Sequence, residues 1–391
     1  MNQSGFPREL LDQPPEVRLH YFKSPGSTIM HKNLKIAFNQ ACRSIREPAG
    51  ASIILIIGPS GVGKTTLLLL LTKKILEESL EQMLDNPAWI PIVCVEAPAP
   101  GKGSFRWKPF YKDILIAVDE PGIDYKINYE SGSIRRGNDG KIVVTGRATE
   151  DSLRLAMENA LIHRKPYTLA VDEFQHIGKM AGEQLLQAHM DCVKSVVNVT
   201  KVPWTGFGTY QLLDFLELSP QLSRRTKTIH FPRYDLRNDA DIKEFKRVLQ
   251  QLQYQMPLAE TPRLKQEYWE FCYERSIGNI GTLITWLTDA YDLCLSDNGG
   301  NTLTLEHLKA TAKSASECQK MASDAIEGEE KLTDSDKKSN DLRQKLGFDI
   351  EETKKHKEGS AKGGKQLNNN SKSRQTKQPF KRKATRDPVG G

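Results

Sequence analysis

The chain has 391 residues, with 56 Lys/Arg against 49 Asp/Glu and six cysteines. That length allows a sizeable hydrophobic core in one or two domains, and no apolar run reaches the roughly 18 residues that a membrane-spanning helix needs. The net charge of +7 is a property of the C-terminal end: residues 351–391 carry 12 Lys/Arg and 4 Asp/Glu, so the first 350 residues are close to neutral and could meet a polyanion only through a local basic stripe.

The cysteines (Cys42, Cys94, Cys192, Cys272, Cys294 and Cys318) are scattered, with no C-x-x-C pair and no histidines at metal-binding spacing. Reduced thiols are therefore expected, not a disulfide framework or a zinc module. Residues 1–35 are polar, contain several prolines and read as an extended N-terminal arm. They show neither a basic leader nor an apolar signal core, so export is not expected. Lys32 to Arg46 predicts a short amphipathic helix, ended by Glu47-Pro48-Ala49-Gly50.

Ser52 to Ile57 is a β-branched apolar run that reads as a buried parallel strand. Directly after it, Gly58-Pro59-Ser60-Gly61-Val62-Gly63-Lys64-Thr65 fits the phosphate-loop pattern G-x-x-x-x-G-K-[ST] at every fixed position. Thr66 to Leu76 then continues with helix formers and no Gly or Pro. Strand, glycine loop and helix form the context in which this pattern binds phosphate. Glycines let successive backbone N–H groups turn inward around an anion, and the helix N-terminus adds positive potential. Lys64 would neutralise the β- and γ-phosphates, and the Thr65 hydroxyl would ligate Mg²⁺. The motif implies binding of a nucleoside triphosphate by Gly58 to Thr66.

A second strand is expected over Ile90 to Glu96, followed by a loop from Ala97 to Gly103. Phe105-x-Trp107-x-x-x-Tyr111 then leads into a helix with Ile114, Leu115 and Val118 on one side. Residues 121–148 are Gly-rich and read as a hairpin-like insertion closed around Arg136-Gly-Asn-Asp-Gly140. Further on, helices are expected over Thr149–His163 and Gly182–Val199, and strands over Tyr167–Val171 and Val202–Thr209. A short helix over Gln211–Leu218 and Ser223-Arg224-Arg225 precede a strand-like Thr228–Phe231. This alternation predicts an α/β fold with a parallel sheet covered on both faces.

From Asp235 the strand signal stops. Helical patterns at Asp239–Leu252, Leu264–Arg275, Gly281–Leu295 and Thr304–Lys313 predict a small helical lid. The expected organisation is thus an arm (1–35), an α/β nucleotide-binding domain (36–234), a helical lid (235–315) and a charged, largely disordered tail (316–391).

Hydrolysis needs a carboxylate that holds Mg²⁺ and another that orients or deprotonates the attacking water. Asp119-Glu120 and Asp172-Glu173 both end apolar runs. The first pair continues an amphipathic helical pattern and is followed at once by Pro121-Gly122, which suits a helix end. The second is set off by the break His163-Arg-Lys-Pro166 and sits where the sheet needs a strand, so Asp172 and Glu173 are favoured. Thr209, at the end of the fourth strand, could contact a γ-phosphate or the attacking water, and a plain strand terminus is the alternative. Arg224 or Arg225 could reach a phosphate in an adjacent subunit, or be an ordinary solvated pair.

Together these residues resemble an AAA+ ATPase and, more narrowly, the TniB/TnsC family of ATPase regulators encoded by bacterial transposons. The resemblance covers about residues 30–315. It is carried by the Gly58–Thr65 loop, Phe105-x-Trp107-x-x-x-Tyr111 and Ala170-Val-Asp-Glu-Phe174 with His176. It continues through Thr205-Gly-Phe-Gly-Thr209, Ser223-Arg-Arg225 and Gly278-Asn-Ile-Gly-Thr-Leu283. It implies Asp172 as the Mg²⁺-linked acid, Glu173 as the catalytic one, Thr209 as first sensor, and Arg224 or Arg225 as an arginine finger. Many AAA+ proteins place an arginine at the start of the lid helix, whereas Gly278 to Thr282 has none, which points to slow or partner-dependent hydrolysis.

The family further implies a cytoplasmic bacterial protein that forms an ATP-dependent ring or filament on duplex DNA, marks a target site and recruits the transposase. Candidate DNA contacts are Lys102, Arg106 and Lys108 in the loop, and Arg135, Arg136, Lys141 and Arg147 in the insertion. The tail, with Gln378-Pro-Phe380 and Lys381-Arg382-Lys383, reads as a protein-docking segment or a nonspecific DNA-binding one. Three functions stay open on sequence: a nucleotide-switched transposition regulator, an AAA+ motor, remodeller or clamp-loader-like ATPase, and a small-molecule P-loop kinase.

Overall fold

Five parallel strands form the central sheet, in the order β2-β5-β6-β1-β7. The computed structural model describes residues 5–24, 28–101, 103–126, 134–136, 142–144, 148–217, 220–297, 301–333 and 336–348. The strands are β1 (Ile53–Ile57), β2 (Ile92–Glu96), β5 (Thr168–Asp172), β6 (Trp204–Gly208) and β7 (Thr226–His230); β3 (Ile134–Arg136) and β4 (Ile142–Val144) stand apart as an antiparallel pair. β1 lies between β6 and β7, with Ile53 in register with both Trp204 and Thr226. Chain-sequential β2 therefore sits across the sheet from β7. The phosphate loop leaves β1 where the strand order reverses, the place where open α/β sheets bind ligands.

All five residues of β1 are buried, because side chains alternate between two covered faces. Ile53, Leu55 and Ile57 join a core with Phe110, Val171 and Trp204, whereas Ile54 and Ile56 join another with Ala41, Leu67 and Phe207. The helices that supply these faces are α2 (Lys32–Arg46), α3 (Lys64–Asp85), α4 (Trp107–Ala117), α5 (Glu150–Arg164) and α6 (Glu183–Thr200). The helix α3 runs past its expected end at Leu76, its polar second half helped by the i,i+4 pair of Lys74 and Glu78 at 2.8 Å. Ile114 to Val118 belongs to α4 and its cap, not to a strand.

Two short helices, α7 (Leu212–Glu217) and α8 (Pro220–Arg225), lead into β7. Beyond it, α9 (Asp239–Gln255), α10 (Trp269–Ser276), α11 (Ile280–Ser296) and α12 (Leu305–Thr311) gather around a third core containing Phe245, Leu249, Leu283 and Leu287. The expected helix from Leu264 begins only at Trp269. The Lys265 N–H is taken by the Gln253 side chain at 3.2 Å, so that segment satisfies its backbone outside a helix.

Two expectations are corrected. The N-terminal segment is not an extended arm: α1 (Pro15–Lys23) places Phe22 in the third core, edge-on to Tyr291 at 5.5 Å. Nor does the tail begin at residue 316, because α13 (Ala315–Leu332) folds as a helix capped by a reciprocal Ser314–Glu317 box. Its mean composition is charged, yet Cys318, Met321, Ala322 and Ala325 recur at helical spacing and form a thin apolar stripe that packs against Ile277. Residues 1–333 make one compact unit. The second unit includes α14 (Asp336–Lys345). Residues 349–391, with the predicted docking segment, lie outside the described residues.

The β3–β4 pair matches the expected hairpin insertion, with Ile134 opposite Val144; its turn lies outside the described residues. All six cysteines are free thiols. No helix among the described residues is long and apolar enough to cross a membrane.

Candidate functional site

The loop from Gly58 to Gly63 continues β1 and turns into α3. Gly61 (φ +76°) and Gly63 (φ +111°) adopt the left-handed conformation that glycine allows without strain. At Gly58 a Cβ would lie 2.2 Å from the Phe231 carbonyl oxygen, so only glycine fits against β7's extension. Lys64 opens α3 and folds back over its own loop, its Nζ donating to the carbonyls of Gly58 at 3.1 Å and Pro59 at 2.9 Å. Burial lowers its pKa to about 8, against the upward pull of Glu173 and Asp172. Burial outweighs both carboxylates, and an incoming anion would favour the ammonium form.

Thr65 and Asp172 meet although they are 107 residues apart: the Thr65 hydroxyl donates to Asp172 Oδ2 at 2.8 Å. Asp172 ends β5, and its Oδ1 accepts the Glu173 N–H at 2.9 Å. Glu173 turns the chain out of the strand at φ +50°. Gln175, in the following 3-10 turn, donates from Nε2 to Glu173 and accepts the Thr209 N–H on Oε1 at 3.3 Å. One side chain thereby joins the two acidic and hydroxyl candidates on adjacent strands. The Thr209 hydroxyl is buried without a partner among the described residues. An unsatisfied hydroxyl beside a phosphate loop suits a bound oxyanion or water.

The helix α11 touches the loop directly. The Thr282 N–H donates to the Gly61 carbonyl at 2.8 Å, and a Cβ on Gly281 would come within 2.5 Å of the same oxygen. A cavity of about 680 Å³ opens between α1, α3, α9 and α11, lined by Phe22, Thr66, Leu69, Leu252, Ile284 and Thr288 among others. Leu69 is 66% exposed there, an apolar surface of the kind that ligand cavities present.

Thr65 and Asp172 are the oxygen donors that Mg²⁺ accepts, and it commonly takes one or two protein oxygens together with substrate phosphates and water. No cluster of three or more His, Cys, Asp or Glu suited to a metal occurs among the described residues, so the phosphates would complete the shell. The donor set fits.

Other candidates lie elsewhere. Asp119 follows α4 and is exposed, and Glu120 pairs with Lys126 at 2.7 Å. Arg224 and Arg225 are exposed at the end of α8. They stand at the start of β7, while the phosphate loop lies past the other end of β1, separated by a five-residue strand or about 16 Å. The structure does not bring them to the site of their own chain. Arg106 and Lys108 are exposed and line a concavity of about 490 Å³ with Lys112 and Glu150. Arg135 and Arg136 lie on β3, whose side chains are not described; Lys102, Lys141 and Arg147 lie outside the described residues.

Sequence reasoning missed Gln175 and the contacts of Gly281 and Thr282. Gln175 is separated from Glu173 by a single residue, but nothing in its spacing reveals that the turn points it across to β6. His176 has a structural part: its Nδ1 sits 2.8 Å from the Ala97 carbonyl, which only accepts, so Nδ1 carries the proton and ties the turn after β5 to the end of β2.

Residues 46–216 match the family described as AAA domain. With the parallel five-stranded sheet and its flanking helices, this gives the chain an AAA P-loop NTPase fold. Comparison with curated proteins finds no match. Among solved structures, the chain is similar to the ORC2 protein of Aeropyrum pernix in ADPNP–ADP complexes, at 16% identity and a TM-score of 0.47 over 75% of this chain and 72% of that one. It is also similar to a Walker-type ATPase of Pyrococcus abyssi (16% identity, TM-score 0.41, 78% and 75% covered) and to Drosophila ORC bound to DNA (10% identity, TM-score 0.44, 80% and 66% covered).

Proposed function

We propose that this chain is an ATP-hydrolysing regulator of DNA transposition, one that oligomerises on duplex DNA, links target-site selection to a transposase, and is reset by hydrolysis. The observation that carries the ATPase part is the 2.8 Å contact of Thr65 with Asp172 beside the Lys64 loop. It supports a reading in which groups for phosphate, metal and water gather past the ends of β1 and β5, the two neighbours of β6. The transposition part rests on the TniB/TnsC resemblance, and the basic concavity of Arg106 and Lys108 is compatible with phosphate contact.

In this mechanism Gly58 to Gly63 surround the β- and γ-phosphates with backbone N–H groups, and Lys64 leaves its loop carbonyls to pair with them. Mg²⁺, held by Thr65 and Asp172, would neutralise charge developing on the phosphate oxygens. Glu173 orients or deprotonates the attacking water, held in place by Gln175, while the orphaned Thr209 hydroxyl bonds the γ-phosphate or that water. The cavity beside Thr66 and Leu69 takes the nucleoside. Arg224 or Arg225, remote from its own loop, serves the site of a neighbouring copy. Residues 36–234 act as the nucleotide-binding domain and 235–315 as its lid, and the tail docks a partner protein.

A site divided between copies fits a switched assembly better than a kinase working as a monomer. Electron microscopy of the chain with duplex DNA at low salt should show ordered rings or filaments with ATP and none with ADP. Absence of any ordered assembly under ATP would remove the proposal, and fast processive translocation would favour a motor.

A further inference from the structure

We propose that helix α13 is a strap across the γ-phosphate end of the site, displaced when a triphosphate binds and replaced by a second copy of this chain. This inference rests on the ATP reading above. Between α13 and the site lies a cavity of about 380 Å³. Pro59, Ser60 and Thr209 line one wall, and Asp324, Glu327 and Gly328 of α13 line the other. The strap thus covers the loop residues and the orphaned Thr209 hydroxyl that await a phosphate.

Beside the stripe against Ile277, three contacts hold the half of α13 nearest the site. Gly328 lies so close to Tyr210 that a Cβ there would fall 2.0 Å from the ring. Glu329 pairs with the buried Arg233 guanidinium at 2.9 Å, and Lys331 reaches Asp214 at 3.5 Å. The apolar hold is thin, since Cys318, Ala325 and Gly328 are the only buried residues of α13. Elements with few buried apolar contacts open at low cost.

Charge supplies the nucleotide dependence. The helix carries Glu317, Asp324, Glu327, Glu329 and Glu330 against Lys320 and Lys331. An arriving triphosphate places further negative charge opposite Asp324 and Glu327, in a half-enclosed mouth where repulsion is less screened than in bulk water. A second copy bringing Arg224 or Arg225 to that phosphate must reach Ser60 and Thr209, and α13 stands across the approach. Loss of the strap would also part Arg233 from Glu329. The same event that signals a bound triphosphate therefore clears the surface on which the neighbour docks.

Hydrogen exchange over residues 315–332 of the full chain tests this, with fluorescent-ATP binding measured in parallel. Exchange should accelerate at least about tenfold with a slowly hydrolysed ATP analogue and Mg²⁺, and not with ADP. Gly328→Leu, which cannot fit against Tyr210, should lower the protein concentration needed for nucleotide-dependent self-association several-fold and, by linkage, tighten binding of the ATP analogue while leaving ADP affinity unchanged. Glu329→Gln should do the same more weakly, and serves if Gly328→Leu fails to fold. Nucleotide binding with unchanged or slower exchange of α13, or variants that self-associate like the wild type, would overturn the strap alone. Absence of nucleotide binding would overturn the ATP reading with it.

Discussion

The Thr282 N–H donates to the Gly61 carbonyl at 2.8 Å, tying the first turn of the lid helix to the phosphate loop. Gly281 permits this approach, since any Cβ there would meet Gly61 O at 2.5 Å and Gly63 N at 3.2 Å. Many AAA+ proteins carry an arginine at this helix start; here backbone meets backbone instead.

Gly281→Ala should therefore push the lid from the loop or distort the loop itself. Overpacking of this kind costs about 1–3 kcal/mol of folding stability, and the displaced loop should bind nucleotide more weakly. Fluorescent-nucleotide titration reads this directly. Wild-type affinity in the variant would mean that the contact is dispensable.

If Lys64 pairs with phosphate as proposed, binding should be sensitive to pH. Its folded pKa, about 8, lies below the ordinary 10.5 because of burial. Between these values the unfolded chain holds a proton that the folded chain has released, so the empty protein gains stability as pH rises through that window. Phosphate binding has the opposite sign, because it requires the ammonium. Affinity should fall by up to about tenfold per pH unit above the folded pKa, with proton uptake on binding visible by calorimetry in two buffers. A flat affinity across that range would contradict the placement of Lys64.

Glu173→Gln should keep nucleotide binding and assembly while turnover drops about 10²–10⁴-fold, the usual range for a lost general base. Gln175→Ala removes the bridge from Glu173 to Thr209 and should lower kcat about tenfold with KM little changed, as expected when positioning alone is lost. A rise in KM at constant kcat would place Gln175 in binding instead.

Arg224 and Arg225 lie at the opposite end of β7 and β1 from their own loop, so activity should complement between copies. The finger variant (Arg224→Ala or Arg225→Ala) should lose about 10³-fold or more in turnover where it acts. Mixed with the Glu173→Gln protein, it should recover activity, since each supplies what the other lacks. Mixtures no more active than their components would argue against a shared site.

Much of the site was legible along the chain because its parts are local. Gly58 to Thr65 is contiguous, and the type of each residue follows from binding phosphate with backbone. The break at Pro166 and the amphipathic pattern before Asp119 separated the two Asp-Glu pairs, and the structure places the first after α4 and the second at the end of β5. Composition misled where burial is sparse: Phe22 anchors a segment that reads as polar, and four small or flexible residues dock α13 despite its charge.

The sequence by itself determined the parallel α/β fold, the loop and the acids at a strand end, since periodicity and short-range chemistry encode these. Only the tertiary structure decided which groups meet: Thr65 with Asp172, Gln175 with Thr209, Thr282 with Gly61, and Gly328 with Tyr210. Those contacts span tens to more than a hundred residues and depend on strand order and helix approach. No local pattern records either, because both are set by how whole faces bury against one another.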